Sequence, residues 1–255
     1  MIDFHSHVLF DRDLGIVDIQ KIVSIVKSAQ NAGFSKIIVT PEIKEMITND
    51  NYESNLKKLI TINNVLRKEK INVQIYLGNE IHYGLSIPDL LENSIATTIN
   101  NSRYILLKMP EDNISFHNLL DYIFQLQLNG YRPILSNIEC YSSIKSNPNI
   151  AMELIRREVL LQLDILSVKG KYGNKVKMTA KKLLKEDMIH FLGTNAYKED
   201  HYDKVKSGLY KIKKIVGKEK FKKITQENCE YILQDRLFYP NIPNVSRKKL
   251  SIMER

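Results

Sequence analysis

The run Asp3-Phe4-His5-Ser6-His7, close to the start of the chain, decides the interpretation of the fold. Residues 1–5 have the composition of a short strand, so that His5 and His7 fall at its carboxyl end. Because side chains alternate with a period of two along a strand, the two imidazoles share one face. This spacing suits a pair of metal ligands, and a polar surface loop with two histidines explains it equally well.

Short apolar runs alternate with longer amphipathic segments along the rest of the chain. Residues 35–40, 71–77 and 132–136 predict buried strands, and residues 16–32 and 202–216 predict amphipathic helices. Such alternation predicts an α/β fold with a parallel sheet, and about seven strands favour closure into a barrel. In such a barrel the carboxyl ends of the strands form the mouth, which is where His5 and His7 are expected.

Length and composition limit the domain organisation and the partners. The 255 residues suit a single domain, here residues 1–237, followed by a basic and mobile tail at 238–255. The net charge of +9 fits a lysine-rich surface, and binding of nucleic acid has only this charge in its favour. Two cysteines, a polar start without a signal peptide and no long apolar run predict a cytoplasmic protein without a membrane span.

A carboxylate follows the third predicted strand at the same end of the sheet. Glu80 comes after Gly78, a residue that lets the backbone turn, and it could bridge hard metal ions. A solvated loop glutamate is the simpler alternative. His82 would share the face of Glu80, and its position fits the surroundings of a site better than a ligand.

Several segments occur together in the order typical of one family. They are His5-Ser6-His7 followed by Asp11, Asp13 and Gly15, then Gly78-Asn79-Glu80-Ile81, Asn101-Ser102-Arg103-Tyr104, and Pro133-Ile134-Leu135-Ser136-Asn137-Ile138-Glu139. With them, residues 1–237 resemble the polymerase-and-histidinol-phosphatase (PHP) family, and within it the capsule-type CpsB/YwqE tyrosine-protein phosphatases. The resemblance implies a distorted (β/α)7 barrel that holds several metal ions, usually Mn2+. It also implies hydrolysis of phosphotyrosine on a partner bacterial tyrosine kinase that controls capsular or exopolysaccharide assembly.

Only part of the family's metal site has matching residues in this chain. His5, His7 and Glu80 match the ligands of its first metal ion. An acidic ligand of the family falls on Leu14, which cannot coordinate a cation. A histidine that follows strand two falls on Glu42, which remains a competent hard ligand.

Further replacements follow later in the chain. The family's histidine after strand five falls on Asn137, and the arginine that binds the phosphoryl group falls on Cys140. A late aspartate and histidine fall on Asn195 and Tyr197. Amide oxygens are neutral and bind a divalent ion weakly, and a thiol cannot replace the bidentate contact of arginine with phosphate. Without the glycines and arginine of a phosphate-binding loop, Cys140 is interpreted as a replaced arginine and not as a nucleophile.

Two hypotheses about activity follow from these replacements. The first is a family member with weakened or lost catalysis, which keeps the fold and acts as a regulatory or scaffold protein. The second is a working phosphoesterase with a rearranged site of one or two metal ions. That site would use His5, His7, Glu42, Glu80 and, after a shift of its loop, His201.

Overall fold

Parallel strands form the centre of this computed structural model, which describes residues 1–10, 16, 18–46, 51–110 and 115–243. The strands are β1 (Ile2–Ser6), β2 (Lys36–Val39), β3 (Glu42–Ile43), β4 (Gln74–Leu77), β5 (Glu80–His82), β6 (Tyr104–Lys108), β7 (Arg132–Leu135), β8 (Leu160–Asp164) and β9 (Phe191–Gly193). They pair in the orders β1-β2-β4 and β3-β5-β6-β7-β8-β9, and each pair is parallel.

Backbone contacts between β9 and β1 curl the sheets toward a barrel. Ser6 and Ala196 form a parallel bridge, the amide of His7 donates to the carbonyl of Ala196, and the amide of Thr194 donates to the carbonyl of His5. β4 leads directly into β5, so that these two short strands act as one interrupted strand. With the two-residue β3 set aside, the structure confirms the predicted distorted barrel of seven parallel strands in one domain.

Helices follow the strands on the outside of the barrel. They are α1 (Ile19–Asn31), α2 (Tyr52–Lys68), α3 (Ile87–Glu92), α4 (Phe116–Leu128), α5 (Ser142–Ser146), α6 (Ile150–Arg156), α7 (Asn174–Lys185), α8 (Glu199–Lys222) and α9 (Asn228–Leu233). Shorter helical turns are Ile99–Asn101, Ile138–Cys140, Ile165–Lys169 and the π-helical Lys223–Glu227.

The ends of α1 show how local sequence sets the boundaries of a helix. The helix begins at Ile19, later than predicted, because the Asp18 carboxylate accepts a hydrogen bond from the amide of Lys21 and caps it. It ends before Gly33, whose φ of +92° is the left-handed conformation that glycine adopts easily. In α8, Gly217 interrupts the helix with a φ of +80°, directly after the predicted end of a helix at residue 216.

Two apolar clusters stabilise the barrel. The larger one lies between the strands and the surrounding helices, and Ile37, Leu107 and Leu161 represent it. The smaller one consists of alternate residues of the strands, such as Phe4 and Leu106, with residues of α9. Phe4 stacks on Phe191 of β9 with ring centroids 4.1 Å apart. The alternation of the strand residues between these clusters is the period-two pattern of a sheet buried on both faces.

Two glycines permit close packing. A Cβ atom on Gly78 would lie 2.5 Å from Cδ1 of Ile99, and Gly78 does not adopt a positive φ. The close approach of Ile99 therefore requires a residue without a side chain at this position. A Cβ atom on Gly193 would lie 2.6 Å from Cβ of His5, so Gly193 lets β9 approach β1 beside the site.

The C-terminal segment begins packed against the barrel. The amide of Phe238 donates to Oη of Tyr104, and the Phe238 ring lies near those of His190 and Phe191. Residues 244–255 of the predicted basic tail lie outside the described residues, so its mobility stays a prediction. Within the described ranges, none of the helices combines the length and apolarity needed to span a bilayer.

Candidate metal centre

Three potential metal ligands meet at the mouth of the barrel. His5, His7 and Glu80 each offer a ligand atom, and these atoms all lie within 4.8 Å of one another. The two Nε2 atoms are 3.3 Å apart, and Nε2 of His5 is 3.8 Å from Oε1 of Glu80. The predicted shared face of the histidine pair is therefore confirmed, and the structure brings Glu80 to the same point from the start of β5.

A buried network anchored by Asp3 positions the histidine pair. The Asp3 carboxylate accepts hydrogen bonds from Oγ1 and the amide of Thr194, from Oη of Tyr202 and from the amide of His5. The pairing of β1 with β2 shifts register between Asp3 and Ser6. This irregularity allows Asp3 to face helix α8 while His5, two residues later, faces Glu80.

Burial keeps the two imidazoles neutral at physiological pH. Loss of solvent lowers the pKa of His5 to about 4. Burial also lowers the pKa of His7 to about 4, and the neighbouring His5 adds to this effect. Neutral imidazole is the form that ligates a metal ion. Nδ1 of His5 is buried and has no hydrogen-bond partner among the described residues.

Glu80 is supported from one side by a hydroxyl and from the other by an ammonium group. Ser136 Oγ donates to Oε1 of Glu80, and Nζ of Lys108 lies 3.7 Å from Oε2. Burial raises the pKa of Glu80, and the charge of Lys108 opposes that effect. The carboxylate is thus held in place, with a cation already beside it.

Glu42 lies next to the three ligands but is engaged by lysines. Its carboxylate receives Nζ of Lys108 at 2.7 Å and Nζ of Lys44 at 2.9 Å. Burial opposes ionisation of Glu42, yet the hydrogen bonds from these lysines prevail and lower its pKa to about 2. Nε2 of His82 lies 3.6 Å from the same carboxylate. The structure therefore places Glu42 in an ion-pair cluster, outside the group of three ligands.

The opposite side of the mouth is built from amides. Nδ2 of Asn195 donates to Oδ1 of Asn137 at 2.9 Å and lies 3.0 Å from Oδ2 of Asp164. Asp164 also accepts hydrogen bonds from Oη of Tyr172 and from the amide of Leu166. Asn137 and Asn195 adopt left-handed backbone, with φ of +47° and +50°, which asparagine tolerates better than most residues. These side chains satisfy one another.

The remaining sequence-predicted positions are not part of the three-ligand group. Burial, with the carboxylates of Glu139 and Asp164 nearby, raises the pKa of the Cys140 thiol, so that it is protonated, unlike a catalytic thiolate. Nδ1 of His201 accepts the amide of Tyr197, and the two rings meet edge to face with centroids 4.7 Å apart. Leu14 lies outside the described residues.

Sequence reasoning missed two charged residues of the site. Lys108 ends β6, and Asp164 ends β8. Both occupy the strand-end position that drew attention to His5, and a search for any charged residue at the end of a predicted strand would have found them. Their partners depend on contacts between distant segments, which the sequence alone does not supply.

The donor set fits one divalent ion. Two neutral imidazoles and a carboxylate are ligands that Mn2+ and similar ions accept. On the opposite side, Asn137 and Asn195 offer neutral oxygens that already hydrogen bond each other, and Glu42 is neutralised by lysines. Within the part of the chain that the structure describes, the residues therefore fit a single ion at His5, His7 and Glu80, and no second group of three ligands is found.

Comparison with known proteins agrees with this geometry. The curled parallel barrel, with histidines and a carboxylate at its strand ends, defines a PHP-type fold. The family described as capsular polysaccharide synthesis, CpsB/CapC, matches residues 1–234. The chain belongs to the CpsB/CapC family.

Relatives of the chain carry names that describe an activity. The tyrosine-protein phosphatase YwqE of Bacillus subtilis is 27% identical over 253 residues, which are 98% of this chain and 98% of YwqE. The tyrosine-protein phosphatase CpsB of Streptococcus pneumoniae is 25% identical, over 93% of this chain and all of CpsB. A crystal structure from a study of YwqE and CpsB as metal-dependent tyrosine phosphatases matches with a TM-score of 0.86 and 25% identity. It covers 97% of this chain and 100% of that one.

Proposed function

We propose that this chain is a CpsB/CapC family member with weakened or lost tyrosine-phosphatase activity and a regulatory role in capsular or exopolysaccharide synthesis. One observation carries the proposal: the three ligands His5, His7 and Glu80 face a side of the mouth where Asn137 and Asn195 hydrogen bond each other. A bacterial tyrosine kinase of polysaccharide assembly as partner, and a cytoplasmic location, remain predictions that rest on the family resemblance and the sequence.

The residues present support only part of metal-dependent phosphoester hydrolysis. Nε2 of His5, Nε2 of His7 and the Glu80 carboxylate would hold one ion, for which we propose Mn2+. When bound, such an ion lowers the pKa of a coordinated water and stabilises charge on a phosphoryl oxygen. Cys140 offers no cation at the position where the family resemblance implies an arginine. Loss of one electrostatic contact of this kind typically costs about 10²–10³ in rate.

An active enzyme with one metal ion is the second candidate function. The buried group of two neutral imidazoles and a carboxylate favours it, because that group can bind an ion without the amide side. The two candidates share the fold and the first ion. They differ in whether turnover survives.

Phosphatase assays separate these candidates. We expect kcat/KM on a phosphotyrosine peptide with Mn2+ to be at least about 100-fold below that of Bacillus subtilis YwqE assayed in parallel. Any remaining turnover should disappear in His5→Ala and persist in His117→Ala, which alters an exposed histidine. A rate within tenfold of YwqE that depends on His5 would establish the active enzyme instead.

A genetic experiment tests the regulatory part of the proposal. In a strain that lacks this gene, both the wild-type chain and His5→Ala should restore the wild-type amount of surface polysaccharide, because the role does not require catalysis. Restoration by the wild type alone, with His5→Ala folded and present at an equal level, would show that the metal site is needed and would overturn the regulatory role.

A further inference from the structure

Lys108 occupies the space between two carboxylates at the mouth of the barrel. Its Nζ lies 2.7 Å from Oε1 of Glu42 and 3.7 Å from Oε2 of Glu80. The Glu80 side chain is 1% exposed, whereas that of Lys108 is 33% exposed. The ammonium group thus reaches inward from the end of β6 and connects a buried carboxylate to a half-buried one.

The charges at this point require a cation. Removing two neighbouring carboxylates from water is costly unless a positive charge compensates them. Nζ of Lys108 lies beside both carboxylates, so this lysine provides the compensating charge from within the chain.

The position of the ammonium group also conflicts with a metal ion bound between the same carboxylates. A hard divalent ion needs carboxylate oxygens at about 2.0–2.6 Å with free lone pairs. Here Oε1 of Glu42 already accepts Lys108, and Oε2 of Glu42 accepts Lys44. An ion that bridges Glu42 and Glu80 would have to displace Lys108 and overcome its repulsion. The three ligands His5, His7 and Glu80 can still bind an ion, because Lys108 approaches Glu80 from the other carboxylate oxygen.

We propose that Lys108 is a built-in cation that holds Glu42 and Glu80 together in place of a second metal ion and limits the centre to one. Lys108 is a positioning residue, since it acts on the arrangement of the carboxylates. The inference deepens the proposed function and rests on it for the ion at His5, His7 and Glu80.

Counting bound metal in variants of the full-length chain tests this inference. After equilibrium dialysis against Mn2+ and elemental analysis, we expect one ion per wild-type chain and two per Lys108→Gln chain. The matched control is Lys44→Gln. Lys44 also pairs with Glu42, but its side chain is 66% exposed and no contact with Glu80 is described. This variant should bind one ion.

Stability supplies a second readout. Without metal, Lys108→Gln should have a lower Tm than the wild type, and Mn2+ should raise the Tm of this variant more than that of the wild type. Lys108→Arg keeps the charge, so it should bind one ion and respond to Mn2+ like the wild type. If Lys108→Gln folds only with Mn2+, the ion has replaced the ammonium group and the inference is supported.

Other outcomes would overturn the inference. These are two ions in the wild type or in Lys108→Arg, or an unchanged metal count in a folded Lys108→Gln. Weaker binding of inorganic phosphate by Lys108→Gln, with an unchanged metal count, would mark Lys108 as a phosphate ligand instead. Failure of the proposed function has a different signature, because it appears as YwqE-like turnover by the wild type whatever the metal count of the variants.

Discussion

The two sides of the barrel mouth use polar residues in different ways. On the histidine side, formed by His5, His7 and Glu80, the ligand atoms point at one another across a small gap that a cation can fill. On the amide side, formed by Asn137, Asn195 and Asp164, the polar atoms are satisfied by hydrogen bonds among themselves. The difference teaches that the convergence of several ligand atoms on one point, rather than polarity or burial, distinguishes a ligand set from a structural network.

The largest expected effect concerns ion binding. Glu80→Gln should weaken Mn2+ binding by about 100-fold or more, because it removes the only negative charge of the three ligands. Asn195→Ala, on the amide side, should change the affinity by less than about threefold, or ~0.6 kcal/mol. Isothermal titration calorimetry on both variants measures this contrast. Equal losses would show that the two sides form one metal site.

The second prediction concerns the stability that the amide side provides. Asp164→Ala leaves the amide of Leu166 and the donors of Asn195 and Tyr172 without their acceptor, and should cost about 2–3 kcal/mol. Asp203→Ala, an exposed aspartate on α8, should cost less than about 0.5 kcal/mol. Urea unfolding of the two variants gives both values. A small loss for Asp164→Ala would mean that water replaces the network.

A third variant adds a carboxylate to the amide side, so that this side resembles the histidine side more closely. Asn195→Asp places a second carboxylate where the amide now lies 3.0 Å from Asp164, and without metal it should destabilise the fold by about 1–2 kcal/mol. Mn2+ should then raise the Tm about 2–4 °C more than in the wild type. Asn195→Ala, which adds no charge, should show no such gain. An equal response of all three proteins would contradict the prediction.

The smallest effect separates a buried structural histidine from the ligand pair. Nδ1 of His190 accepts the amide of Leu161, and burial lowers the pKa of His190 from 6.5 to about 3. Below pH 6.5 the unfolded chain therefore binds a proton at His190, which the folded chain does not bind until the pH is much lower. The free energy of unfolding falls as the pH drops through that range. His190 contributes at most about 1.4 kcal/mol per pH unit to this loss of stability.

His190→Gln keeps an acceptor for the Leu161 amide and removes this titration. Unfolding at pH 5.5 and pH 7 should show a smaller acid loss than in the wild type, by about 1 kcal/mol, with or without Mn2+. His5 and His7 titrate in the same direction, but they are present in both proteins, so the difference isolates His190. Identical pH profiles would show that His190 does not govern acid stability.

More of the fold than of the site could be predicted from the sequence. The apolar runs that alternate with amphipathic segments predicted the parallel strands, because strands buried on both faces are apolar along their whole length. The pair of His5 and His7 was predictable for the same reason, since both residues belong to one strand. Glu80 could be predicted from its place at the end of the next-but-one strand.

The rest of the site depends on contacts that no local pattern encodes. Lys108 is one lysine among many in this chain, and only the closure of the barrel brings its ammonium group to Glu42 and Glu80. The hydrogen bond between Asn137 and Asn195 joins residues that are 58 positions apart. The steric need for glycine at position 78 was not predictable, because it depends on a distant neighbour, Ile99.

The Asp3 network has a consequence for how the chain folds. Asp3 is made well before Thr194 and Tyr202, which satisfy its acceptor oxygens and lie 191 and 199 positions later. During synthesis, the position of the histidine pair can therefore be fixed only after β9 and α8 have emerged. Contacts of such sequence separation form slowly. The metal centre should be among the last parts of the nascent protein to become competent, so that a truncated chain would contain His5, His7 and Glu80 without the framework that orients them.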